Sequence, residues 1–146
     1  MKKIIIVLIF LFGQLHALEP NSTLKLYHHL FSSFSLKKSV SVYVEDNAYK
    51  NIFLKSSYIH LVQDIGEADF ILLTTNAMLK KLKNKALPKE TIVITDNYTY
   101  MEQWSGVVGA FYYRKGRSQF LFLKPRLDEH NITLPLEYDK YIVDEL

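Results

Sequence analysis

Two sets of carboxylates, Glu45-Asp46 and Asp96, follow strand-like runs and are by type the best candidates for acid–base chemistry. A carboxyl group acts as a general acid or base when a second titrating group or a metal shares its site. No histidine stands beside any of these three in sequence, and carboxylates at strand ends ordinarily cap the helix or turn that follows. The five histidines show no metal-ligand spacing. His28 and His29 are adjacent on a predicted helix and point to different faces, so they do not chelate one ion. There is no cysteine, which excludes a disulfide framework, a thiolate metal site and a cysteine nucleophile. No serine lies in a nucleophile elbow. Gly106 and Gly109 lack the third glycine and the helix start of a dinucleotide loop. No catalytic residue, metal or cofactor is expected, and the chain reads as a non-enzyme.

Three features suit binding instead. Lys80, Lys81, Lys83, Lys85 and Lys89 have no acid between them and make one edge positive, either as a docking face or as a solvated helix face. Tyr98, Tyr100, Trp104, Phe111, Tyr112 and Tyr113 form an aromatic group. Strand alternation places Phe111 and Tyr113 on one face and Tyr112 on the other, so some are core and the rest form an anchor patch. Arg114-Lys115-Gly116-Arg117 reads as a hairpin tip with three cations, suited to a partner's carboxylates or to plain solvent exposure. The expected partner-binding set is Trp104, Tyr112, Arg114, Lys115 and Arg117, the aromatics supplying affinity and the cations orientation.

The first residues set the location. Lys2-Lys3 start the chain, an apolar run extends from Ile4 to Gly13, and Gln14-Leu15-His16-Ala17 leads into Leu18-Glu19-Pro20. This is the order of a secretory signal peptide, with cleavage after Ala17. The apolar run is shorter than the roughly 20 residues a membrane span needs. The chain then divides into a signal peptide over 1–17 and one domain over 18–146, and its composition points to a bacterial periplasm. A formal charge of +3 without a concentrated patch gives no nucleic-acid footprint. Ten tyrosines and nine phenylalanines are core-forming material that a disordered chain lacks.

The elements that must position these residues follow from periodicity. Ser22 to Phe34 has apolar residues at helical spacing, with Asn21 or Ser22 as cap. Val40 to Val44 and Tyr58 to Val62 alternate as strands, with a short helix through Leu54 between them. Phe70-Ile71-Leu72-Leu73 and Thr91-Ile92-Val93-Ile94-Thr95 are continuous apolar runs, as expected of strands buried on both faces. A helix from Asn76 to about Asn84 separates them. A short piece carrying Trp104 precedes a strand from Val107 to Tyr113, a tight turn at Lys115-Gly116, and a partner strand from Ser118 to Leu123. Pro125 and Pro135 each open a helix, the last predicted to run to about Asp144. The alternation predicts an α/β three-layer sandwich with a mostly parallel central sheet and a C-terminal hairpin added at one side.

The order of these runs resembles the YfiR-like family of small periplasmic regulatory proteins. The resemblance rests on Val40-Ser41-Val42-Tyr43-Val44, Gly66-Glu67-Ala68-Asp69-Phe70-Ile71-Leu72-Leu73 and Thr91-Ile92-Val93-Ile94-Thr95-Asp96. It continues through Gly106-Val107-Val108-Gly109-Ala110-Phe111, Gly116-Arg117-Ser118-Gln119-Phe120-Leu121-Phe122, Arg126-Leu127 and Ile132-Thr133-Leu134-Pro135. The family's Trp-Pro after the first helix is replaced, with Phe31-Ser32-Ser33-Phe34-Ser35 here, and its disulfide cysteines are missing. The resemblance implies a non-enzymatic regulator that binds the periplasmic domain of an inner-membrane signalling protein, a diguanylate cyclase or sensor kinase, and holds one state. Association with a second copy, as a homodimer, stays open. The run Glu67 to Leu73 also resembles one lobe of periplasmic binding proteins, so a single-lobe solute-binding protein is the alternative.

Overall fold

Pro20 starts the first helix, α1 (Pro20–Phe34), where its fixed φ suits the first turn and its missing N–H costs nothing. Glu19, rather than Asn21 or Ser22, is the cap: its side chain accepts the Ser22 N–H at 2.6 Å. The structure, a computed structural model, describes residues 19–146; the signal peptide read at residues 1–17 lies outside the described residues. β1 (Val40–Val44) leads to Asp46, whose carboxylate caps α2 (Asn47–Phe53) by accepting the Ala48 N–H. β2 (Ile59–Leu61) and a 3₁₀ turn at Ile65–Glu67 follow. β3 (Phe70–Leu73) and β4 (Ile92–Thr95) flank α3 (Asn76–Lys83), and every residue of both strands is buried. α4 (Thr99–Gln103) joins β4 to β5 (Val107–Arg114), which turns at Lys115-Gly116 into β6 (Arg117–Leu123). α5 (Lys124–Glu129) completes the helices.

One sheet runs in the order β2-β1-β3-β4-β5-β6-β7. Strands β1 to β5 are parallel, β6 is antiparallel to β5, and β7 (Ile142–Val143) lies parallel to β6. The last segment differs from expectation. Leu136–Tyr141 forms a 3₁₀ helix, and Ile142–Val143 then adds to the sheet against Phe122 and Leu123. Two β-branched residues beside an open strand edge gain ladder bonds and packing that outweigh another helical turn.

The two faces carry separate cores. On one, Tyr27, Leu30 and Phe31 of α1, Ile52 and Phe53 of α2, and Leu127 and Tyr138 cover Val42, Phe70, Ile94 and Phe122. On the other, Met78, Leu79 and Leu82 of α3 and Tyr100 and Met101 of α4 cover Ile71, Leu73, Val93 and Val107. The fold is therefore the α/β three-layer sandwich with a mostly parallel sheet. Continuous apolar strands need cover on both sides, and this arrangement supplies it.

Arg126 locks one corner. Its guanidinium donates to the carbonyls of Met101 at 2.9 Å, Trp104 at 3.3 Å and Val107 at 2.7 Å, tying α5 to the end of α4 and the start of β5. Partial burial lowers its pKa, yet it stays charged. Arg126→Ala is expected to lower stability by about 1–2 kcal/mol, because three carbonyls lose a charged donor. Arg126→Lys should recover little, since an ammonium cannot fork to three acceptors. Urea unfolding of both variants checks this; a full recovery by lysine would show that only charge matters there.

Candidate functional site

The carboxyl ends of β3, β4 and β5 enclose a cleft. Thr95, the last residue of β4, is paired with Ala110, so β5 runs on from Phe111 to Arg114 without a β4 partner. Those residues stay paired with Arg117 to Phe120, and the hairpin overhangs the sheet by about 13 Å at the usual rise per residue. One face of this overhang is held by α1: the Phe111 ring lies 5.4 Å from that of Tyr27 and 5.0 Å from that of Phe120. On the other face Tyr112 packs on Tyr98, ring centroids 5.0 Å apart. Phe111 and Tyr113 share a face, as the alternation requires.

The overhang, the β4–α4 loop and the end of β3 line a cleft of about 440 Å³ with Thr74, Asp96, Asn97, Tyr98, Tyr112 and Tyr113. Asp96 is held at the cleft by a pinned turn. The buried Thr95 hydroxyl donates to the Leu73 carbonyl at 2.7 Å and accepts the Asn97 N–H at 3.1 Å. Asn97 Oδ1 in turn accepts from the Thr99 N–H and hydroxyl at 3.1 and 2.8 Å. The Tyr49 hydroxyl donates to Asp96 Oδ2 at 3.0 Å. Loss of water around Asp96 raises its pKa to about 6; the Tyr49 hydrogen bond opposes this and nearby Asp46 adds to it. Among the described residues no cation pairs with Asp96 or Asp46. The Thr74 Oγ1 and Tyr27 hydroxyls are buried without a hydrogen-bond partner.

The partner-binding residues expected from sequence do not form one patch. Arg114, Lys115 and Arg117 are exposed at the hairpin tip, Tyr112 is half-buried below them, and Tyr113 is 49% exposed. Trp104 stands at the other end of β5, about 23 Å away by the rise of an extended strand. Its indole covers Gly106, where a β-carbon would collide with the ring, and packs on the α3–α4 face of the core. There it lines a second groove with Lys85, Lys89 and His130. An extended strand separates residues that lie close in sequence, and the shared patch required them to stay close.

The other candidates fall into structural roles. Glu45 accepts Lys81 at 2.8 Å and the Tyr43 hydroxyl at 2.7 Å, so one of the five clustered lysines is paired while Lys80, Lys83, Lys85 and Lys89 stay exposed. His28 stacks on Tyr58 with centroids 4.5 Å apart, and His29 bonds Glu137 at 2.8 Å, so the two do face apart. Among the described residues no group of three or more His, Cys, Asp or Glu side chains is placed for a metal. Of the strand-end carboxylates expected to cap a helix or turn, Asp46 caps α2, while α4 after β4 has no side-chain cap from Asp96. Its surroundings come from Tyr49 of α2 and from the hairpin, so no pattern next to Asp96 in the sequence marks it.

Open parallel sheets hold ligands outside the carboxyl ends of their strands, and the fold and cleft together define a doubly wound α/β domain with its concavity on that side. A conserved domain protein from Vibrio cholerae O1 biovar El Tor strain N16961 has a similar solved structure, with a TM-score of 0.52 at 11% identity. The likeness covers 82% of this chain and 59% of that one, and at this identity it concerns the fold alone. No protein-family model matches the chain, and no curated protein matches it either.

Proposed function

We propose that this chain is an exported, non-enzymatic regulator that docks through the overhanging hairpin onto the outer domain of an inner-membrane signalling protein. The observation that carries the reading is the hairpin itself. It projects beyond the sheet with exposed Tyr113, Arg114, Lys115 and Arg117, and none of its three cations forms an ion pair among the described residues. An unpaired cationic tip beside tyrosines suits an acidic protein surface, with tyrosine supplying contact area and arginine bidentate bonds to carboxylates. The basic, apolar and small-residue order of residues 1–17 supports export to the periplasm. The YfiR-like order of elements supports a diguanylate cyclase or sensor kinase as partner.

The test is a triple charge reversal, Arg114→Glu, Lys115→Glu and Arg117→Glu, expressed in place of the native chain in its own cells. Because all three side chains are exposed, the variant should keep its unfolding midpoint. It is expected to reproduce the change in cyclic dinucleotide level caused by deleting the chain. Normal levels with the triple variant would remove the hairpin as the docking element. The alternative, a single-lobe solute-binding protein, draws support from the carboxyl-edge cleft and predicts neighbouring transporter genes instead.

A further inference from the structure

We propose that the carboxyl-edge cleft is a binding site for a small organic ammonium ion, with Asp96 as counter-ion and Tyr98, Tyr112 and Tyr113 as its aromatic walls. This inference does not rest on the docking reading: it is argued from Asp96 and the cleft lining, and Tyr113 is the one residue the two surfaces share.

The chemistry follows from the lining. Tyr98 and Tyr112 pack on one face of the overhang and Tyr113 lies on the other, and all three border the cleft beside Asp96, with Thr74 and Asn97 as the remaining side chains of its lining. Aromatic faces attract a cation through their negative quadrupole, more strongly when water is reduced. A carboxylate beside them selects positive charge over a neutral ligand of equal shape. A bare metal ion would need more oxygen ligands than one carboxylate and two neutral side chains provide.

The charge around Asp96 agrees. Asp46 and Tyr49 face it from α2, Tyr27 lies behind Tyr49 on α1, and Tyr113 faces this group from β5. None of these is cationic. The carboxylate is thus partly withdrawn from water, beside a second acid, with one tyrosine hydroxyl for support. A bound ammonium would supply the positive charge that the protein withholds and draw the Asp96 pKa downward. Arg114, Lys115 and Arg117 are exposed at the tip, where counter-ions screen their repulsion.

The volume fits. About 440 Å³ accommodates a small amine with its carbon atoms on the rings and its charge toward Asp96. Binding should therefore weaken as pH falls below about 6, where Asp96 takes up its proton.

The experiment uses the purified protein labelled with nitrogen-15 and carbon-13, titrated with choline, with putrescine, and with 3,3-dimethyl-1-butanol as the uncharged isostere of choline. The expected result is saturable movement of the Asp96, Tyr98 and Tyr112 amide signals with at least one amine, and a lowered Asp96 carboxyl pKa in its presence. The isostere should leave these signals in place. Asp96→Asn, which keeps the Tyr49 hydrogen bond and the shape, should weaken binding by roughly tenfold or more, as loss of a charged partner does. No movement with either amine, equal binding by the isostere, or undiminished binding by Asp96→Asn overturns the assignment.

Discussion

Phe122→Ala is expected to cost the domain about 3–5 kcal/mol, the range for truncating a buried phenylalanine. The ring is fully buried and lies against Phe34, Phe120 and Tyr138, with centroids 5.9, 6.1 and 5.7 Å away. The sheet lies beneath it, and Phe34 of α1 and Tyr138 of the 3₁₀ segment pack over it. Directly opposite in the β5–β6 register stands Gly109. A β-carbon there would collide with the Phe122 ring and come within 3.2 Å of the Leu121 carbonyl oxygen. Gly109→Ala alone should therefore cost about 1–3 kcal/mol through overpacking. The two changes act on one space, so the double variant should lose roughly 1 kcal/mol less than the sum of the single losses. Urea unfolding of the four proteins measures the coupling. Strict additivity would show that the phenylalanine ring does not occupy the space above the glycine.

Asp96 should make the domain lose stability as pH rises from about 4 to about 6, and Asp96→Asn should remove that contribution. In the folded protein the Asp96 pKa lies near 6 against an ordinary value of 3.8, chiefly through loss of water. Between these two values the folded form holds more protons than the unfolded form. Raising the pH through that window removes stability, and above it the penalty stays constant. Partial exposure of the carboxylate moderates the effect, so the asparagine variant should gain about 1–3 kcal/mol at pH 7. Urea unfolding of both proteins at several pH values between 4 and 7 checks this. An unchanged slope in the variant would assign the effect to another group. A carboxylate kept where it destabilises the fold is a mark of a functional position.

Much of the architecture was legible in the chain because each local choice agrees with the whole. The runs Phe70–Leu73 and Ile92–Thr95 are apolar at every position or nearly so, and only strands covered on both faces need that. Lys115-Gly116 sits between two alternating runs, and it turns there with both residues at positive φ. What escaped was position along the third dimension. Trp104 and Tyr112 are near in sequence and belong to opposite edges of the sheet, because a strand carries the chain straight across. Asp96 looked like any strand-end carboxylate, since its desolvation comes from α2 and the hairpin, both distant in sequence. Ile142–Val143 became a strand through the vacancy beside β6, which no local pattern records.

The overhanging hairpin has one further consequence. A single pair of strands forms a wall of the cleft and also carries the cationic tip, so the two surfaces share a rigid body. Any occupant of the cleft that changes the tip's affinity for a partner by some factor must have its own affinity changed by that same factor when the partner binds. Two readings of this domain, one as a receptor for a small molecule and one as a docking module, would then describe the same thermodynamic cycle entered from different corners.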